Sequence, residues 1–95
     1  SRVVDSTTGT ALAETRTSTT ADLDEAVGAG QAAFEQWRST PVEERIQPLF
    51  ELKRLLEANQ DEITETLVRE HGKTFAEAKG ELRRGIENVE VACGI

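Results

Sequence analysis

Four groups in this 95-residue chain have side chains able to do chemistry: Gly72-Lys73-Thr74, His71, Cys93 and the pair Arg83-Arg84. Gly72-Lys73-Thr74 matches the end of a phosphate-cradling loop, in which backbone amides wrap the phosphates and a lysine reaches the outer ones. That loop needs another glycine five residues earlier and a strand upstream. Leu67 stands there instead, inside a helical pattern, so nucleotide binding through this segment is rejected. Lys73 reads as a solvated side chain beside a helix junction. His71 has no His or Cys partner at a metal-ligand spacing, and it suits the last turn of a helix, where positive charge favours the dipole. Cys93 as a nucleophile lacks a second histidine to activate it. It shares a stripe with Leu82, Ile86 and Val89, where a small buried hydrophobe is expected.

Arg83 and Arg84 separate by direction. At about 100° per residue, Arg83 lies a quarter turn from the Leu82 stripe and reaches solvent, whereas Arg84 points nearly opposite it, in line with Gly80, Asn88, Val91 and Ile95. A guanidinium half enclosed on that second face suits a carboxylate, because its planar fork donates two parallel hydrogen bonds. The bland alternative is an internal ion pair with Glu81 or Glu87, or free solvation.

These residues must be positioned by helices. Residues 1–18 differ from the rest: they are Thr- and Ser-rich and lack Lys, and Val3-Val4 and Ala11–Ala13 flank the turn signal Ser6-Thr7-Thr8-Gly9, which predicts a β-hairpin. A lone hairpin is marginal in water, so these strands are expected to pair with something else. From residue 19 to 95 the spacing is helical, and four segments open with a capping residue followed three positions later by an acid: Thr19 with Asp22, Thr40 with Glu43, Asn59 with Glu62, Thr74 with Glu77. Four helices follow. The first has an apolar stripe through Leu23, Val27, Phe34 and Trp37 that should lie on a core; the second should kink near Ile46 because of Pro48; Gly72 should end the third in a left-handed cap. The fourth should bury Phe75, Ala78, Leu82, Ile86, Val89 and Cys93, leaving Val91 and Ile95 on its back. Too little chain remains to cover both faces, so the natural chain is expected to continue and this piece to be a single incomplete domain.

Composition sets outer limits. A formal charge of −7 repels nucleic acid and anionic membranes. It suits an ordinary soluble protein, with a high-salt cytoplasm as the lesser alternative. One cysteine forms no internal disulfide, no apolar run reaches the roughly 18 residues of a membrane span, and no signal peptide is present, so a reducing cytoplasm is the expected location. The core must come from Leu, Ile, Val and Ala, with few large fillers.

Taken together, the segments Asp22–Val27, Ala33-Phe34-Glu35-Gln36-Trp37, Pro41–Arg45 and Glu70-His71-Gly72-Lys73-Thr74 resemble the N-terminal region of the aldehyde dehydrogenase superfamily. Gly80-Glu81-Leu82-Arg83-Arg84-Gly85-Ile86-Glu87-Asn88-Val89-Glu90 brings the likeness to its methylmalonate-semialdehyde dehydrogenase branch. The resemblance covers the whole chain but about a fifth of a full-length member. It implies an α/β cofactor-binding domain of which this mostly α piece is part. It also implies a homo-oligomer in which a thiolate attacks the aldehyde, NAD takes hydride, coenzyme A resolves the acyl-enzyme and carbon dioxide is lost. The catalytic cysteine, the general base and most nucleotide contacts would lie beyond Ile95, so the piece alone should have no catalytic residues and bind neither NAD nor coenzyme A. Its partner would be the remainder of its own chain. The resemblance places a substrate-carboxylate arginine at Arg84. The rivals are another aldehyde dehydrogenase subfamily, or a free-standing helical interaction module without catalysis.

Overall fold

A computed structural model describes residues 1–95. The elements are strands β1 (Arg2–Val4) and β2 (Ala11–Glu14), then helices α1 (Thr20–Trp37), α2 (Val42–Arg45), α3 (Gln47–Ala58), α4 (Gln60–His71) and α5 (Phe75–Cys93). The hairpin pairs Arg2 with Glu14 and Val3 with Ala13, and it is the whole sheet. Asp5 organises its turn by accepting from the amides of Thr7 and Thr8 at 2.8 and 3.2 Å, with Gly9 at φ +74°. In place of further strands, the hairpin has α4: a cleft between them is lined by Val3, Leu12, Thr66 and Arg69.

Two of the four expected capping boxes form. Thr19 Oγ1 accepts from the Asp22 amide at 3.2 Å while the Asp22 carboxylate accepts from the Thr19 amide at 2.7 Å, and Thr74 and Glu77 repeat the exchange at 3.2 and 3.4 Å. Thr40 and Asn59 do otherwise. Thr40 donates its hydroxyl to the Gln36 carbonyl at 3.1 Å, and Asn59 donates its side-chain amide to the Leu55 carbonyl at 2.8 Å. Each follows the end of a helix, and its side chain adds a further donor to a carbonyl four residues back that already accepts a backbone amide.

The expected second helix is divided rather than bent. It stops at Arg45, Ile46 serves both pieces as a cap, and Pro48 falls at the second position of α3, where an amide would have no intrahelical partner to lose. Five helical segments therefore stand where four were expected. Gly72 closes α4 with φ +70°, in keeping with the spacing. A β-carbon there would lie 2.8 Å from Thr7 Oγ1 and 3.0 Å from Ser6 Oγ, so the hairpin turn rests on this elbow.

The packed centre is α5 lying on α3 and α4. Ala78, Leu82 and Ile86, one helical turn apart, are its buried residues, joined by Thr64 of α4, whose hydroxyl is satisfied by the Gln60 carbonyl at 2.7 Å. Phe75, expected in the same stripe, is 48% exposed; Val89 and Cys93 are half-buried. No residue of α1 is buried, so its apolar stripe is present but nothing in these 95 residues covers it. The accessible surface is 7274 Å², against about 5,400 Å² for a compact monomer of this mass. The radius of gyration is 17.3 Å against about 12 Å. This is an open arrangement built on one small seam.

Ion pairs line that seam. Lys53 of α3 meets Glu57 at 2.6 Å and Glu90 of α5 at 3.6 Å, and Glu90 also receives Arg83 at 3.0 Å. The hydrogen bond to Glu57 is the main reason the Lys53 pKa rises above its ordinary 10.5, with Glu90 adding less. The same bond is the main reason the Glu57 pKa lies below 4.5. A depressed carboxyl stabilises the fold above its ordinary value and loses that contribution as pH falls through the folded value; a raised lysine stabilises below its ordinary value and loses it as pH rises through the folded one.

Two outcomes follow. In thermal melts, stability from these groups holds between pH 4.5 and pH 10.5 and falls outside that window, with Glu57→Gln flattening the acid limb and molar salt weakening both. Thr74→Ala lowers unfolding free energy by about 1 kcal/mol in urea titrations, whereas Thr40→Ala, which removes no N-terminal cap, costs less than half as much.

Candidate functional site

Arg84 owes its direction to the seam. With Ala78, Leu82 and Ile86 turned into α3 and α4, the residues half a turn away on α5 face outward: Gly80, Arg84, Asn88 and Val91. Val91 is 62% and Ile95 94% exposed. Arg84 is exposed, and a β-carbon added at either Gly80 or Gly85 would meet nothing within 4 Å, so its surroundings on the helix are open. It lines none of the clefts of the surface.

Both acids available to neutralise Arg84 along the helix are engaged by other cations. Glu81 takes a hydrogen-bonded ion pair from Lys73, and Glu87 lies 3.6 Å from Arg83 Nε. Arg84 itself makes no ion pair and no side-chain hydrogen bond. Lys73 is the main cause that holds the Glu81 carboxyl below its ordinary range, and the charges of His71 and Arg84 contribute less. Of the two alternatives weighed for Arg84, the internal ion pair is thus not formed, and free solvation is the state of its exposed side chain here.

Arg83 is exposed, as expected, and donates along α5 to Glu90, which Lys53 of α3 also meets, whereas Lys73 departs from the sequence expectation. Lys73, expected as a lone solvated side chain, bridges the α4–α5 junction. The signal for this bridge is faint in the sequence: helix side chains lean toward the N-terminus, so Glu81 tilts back toward a lysine placed just ahead of the Thr74 cap. His71 is the last residue of α4, as expected. Cys93 is a half-buried free thiol. No three His, Cys, Asp or Glu side chains converge in a metal-holding arrangement, and no helix is long and apolar enough to cross a membrane. An apolar groove between Trp37, Pro48, Leu49 and Ala92 contains no charged group other than Arg45.

What the arrangement offers chemically is a guanidinium based on a packed helix, open on its outer side and flanked by the carboxylates of Glu81 and Glu87; like Arg2, Arg38, Arg45 and Arg69 it makes no ion pair.

The chain matches the family model described as the aldehyde dehydrogenase family over residues 1–95. It is 52% identical over 71 residues to malonate-semialdehyde dehydrogenase of Pseudomonas aeruginosa, covering 75% of this chain and 14% of that protein. It is 47% identical over 87 residues to malonate-semialdehyde dehydrogenase of Bacillus pumilus and 44% identical over 87 residues to malonate-semialdehyde dehydrogenase 1 of Geobacillus kaustophilus, each match covering 92% of this chain and 18% of the relative. The chain thus spans less than a fifth of the length of these relatives. With the match running from the hairpin to the end of α5, the chain belongs to the aldehyde dehydrogenase family.

Proposed function

We propose that this chain is the N-terminal portion of an NAD-dependent, coenzyme A-acylating dehydrogenase acting on malonate or methylmalonate semialdehyde in a reducing cytoplasm, and that Arg84 holds the carboxylate of the substrate. The observation that carries the assignment is the unpaired state of Arg84 between two acids that are both otherwise engaged. A dehydrogenase that must tell a carboxylated aldehyde from a plain one needs a fixed cation near the reacting end. A guanidinium with both arms of its fork free supplies two parallel hydrogen bonds to such a group. The similarity to three malonate-semialdehyde dehydrogenases supports the substrate class.

The residues present do not form a dinucleotide crevice. A dinucleotide crevice needs a parallel strand, a glycine turn and a helix N-terminus in succession, and here the two strands are antiparallel. The glycine turn at Gly72 follows a helix, with Lys73 held by Glu81 and the Thr74 hydroxyl held by the Glu77 amide. We assign NAD, and with it coenzyme A, to the remainder of the protein. The task of residues 1–95 is to bind and orient: α5 fixes the origin of the Arg84 side chain, and the bidentate hold turns the substrate's aldehyde carbon toward reacting groups supplied from outside this segment. The bare α1 stripe and the back of α5 are proposed to be covered by the rest of the chain or by a second subunit.

Two measurements test this. In the full-length enzyme, Arg84→Leu lowers kcat/KM for malonate semialdehyde by about 10- to 100-fold while leaving propanal oxidation within about twofold. Unchanged discrimination would point to another aldehyde dehydrogenase subfamily. Calorimetric titration of residues 1–95 with NAD gives no micromolar binding; saturable heat in that range would contradict the assignment of the cofactor site elsewhere.

A further inference from the structure

On a helix, an arginine meets side chains three and four residues away. For Arg84 those positions are Gly80, Glu81, Glu87 and Asn88: no side chain, an acid, an acid and a neutral amide. The two acids are tethered competitors for any carboxylate arriving from solution, since each could fold onto the guanidinium without leaving α5. Neither does. Glu81 is held by Lys73 and Glu87 lies beside Arg83, which is itself drawn toward Glu90. The Lys73–Glu81 pair joins the residue ahead of the α5 cap to the second turn of the helix, so it pulls the Glu81 carboxylate toward the N-terminus, away from Arg84.

We propose that Lys73 is a positioning residue for substrate specificity: by occupying Glu81, it keeps the Arg84 guanidinium available to an external carboxylate, an inference that rests on the assignment of Arg84 to the substrate. Arg83 does the same for Glu87, at a looser 3.6 Å. Neither residue touches substrate. Their effect is on how often Arg84 is free, and so on affinity for carboxylated aldehydes rather than on the rate of bond making. A solvent-exposed pair three residues apart on a helix corresponds to an equilibrium factor of about 1.4 to 2.3, which sets the size of the effect.

The test uses the full-length enzyme with malonate semialdehyde and propanal. Lys73→Met is expected to raise KM for malonate semialdehyde about twofold, with kcat and the propanal KM unchanged. Adding Glu81→Gln to Lys73→Met returns KM to the wild-type value, because the competitor is then uncharged. Lys73→Arg keeps Glu81 occupied and keeps the wild-type KM. A parallel rise for both aldehydes, or failure of the double variant to recover, overturns the proposal. Glu81→Gln alone removes the competitor without touching Lys73: KM for malonate semialdehyde stays at or below wild type, and a rise overturns the proposal. If Arg84→Leu abolishes discrimination while Lys73→Met changes nothing, this inference alone fails; if Arg84→Leu leaves discrimination intact, the substrate assignment fails first.

Discussion

Three small or medium apolar side chains, Ala78, Leu82 and Ile86, fix everything else in this molecule. They lie one turn apart on α5 and are its only buried apolar residues, so they decide which way the helix is rotated. Once they are seated on α3 and α4, the base of the Arg84 side chain is turned outward. The lysine and glutamates at the edge of the seam keep that rotation from drifting, and the Thr74 box fixes where the helix begins.

The same economy leaves much apolar surface bare. Leu23, Val27, Phe34 and Trp37 on α1, and Val91 and Ile95 at the end of α5, are all between 46% and 94% exposed. Isolated surface hydrophobes are ordinary, but aligned stripes on two helices are not. The segment has roughly a third more accessible area than its mass calls for.

Much of this was legible in the residues. The hairpin turn, the Thr19 and Thr74 caps, the left-handed Gly72 and the interruption around Ile46 depend on contacts within a few positions, and local chemistry is what a sequence displays most directly. The failures share a cause as well. Thr40 and Asn59 had two backbone targets each, and which is nearer depends on where the preceding helix stops. The α1 stripe announces that a face is apolar, not which surface will cover it. At the site, the periodicity separated Arg84 from Arg83, but the engagement of Glu81 by Lys73 spans a helix junction, and that of Glu90 by Lys53 joins separate helices. Such pairings exist only once the elements are placed.

The contact of the hairpin turn with Gly72 has a kinetic meaning. Thr7 and its glycine neighbour are 65 positions apart (72 minus 7), whereas the α3, α4 and α5 contacts that make the elbow are between segments close together in the chain. Closing the longer loop costs more chain entropy, and local contacts form ahead of distant ones. The elbow is therefore an early landmark onto which the amino-terminal residues dock late. During synthesis those first residues emerge well before their resting place exists, and must wait for it.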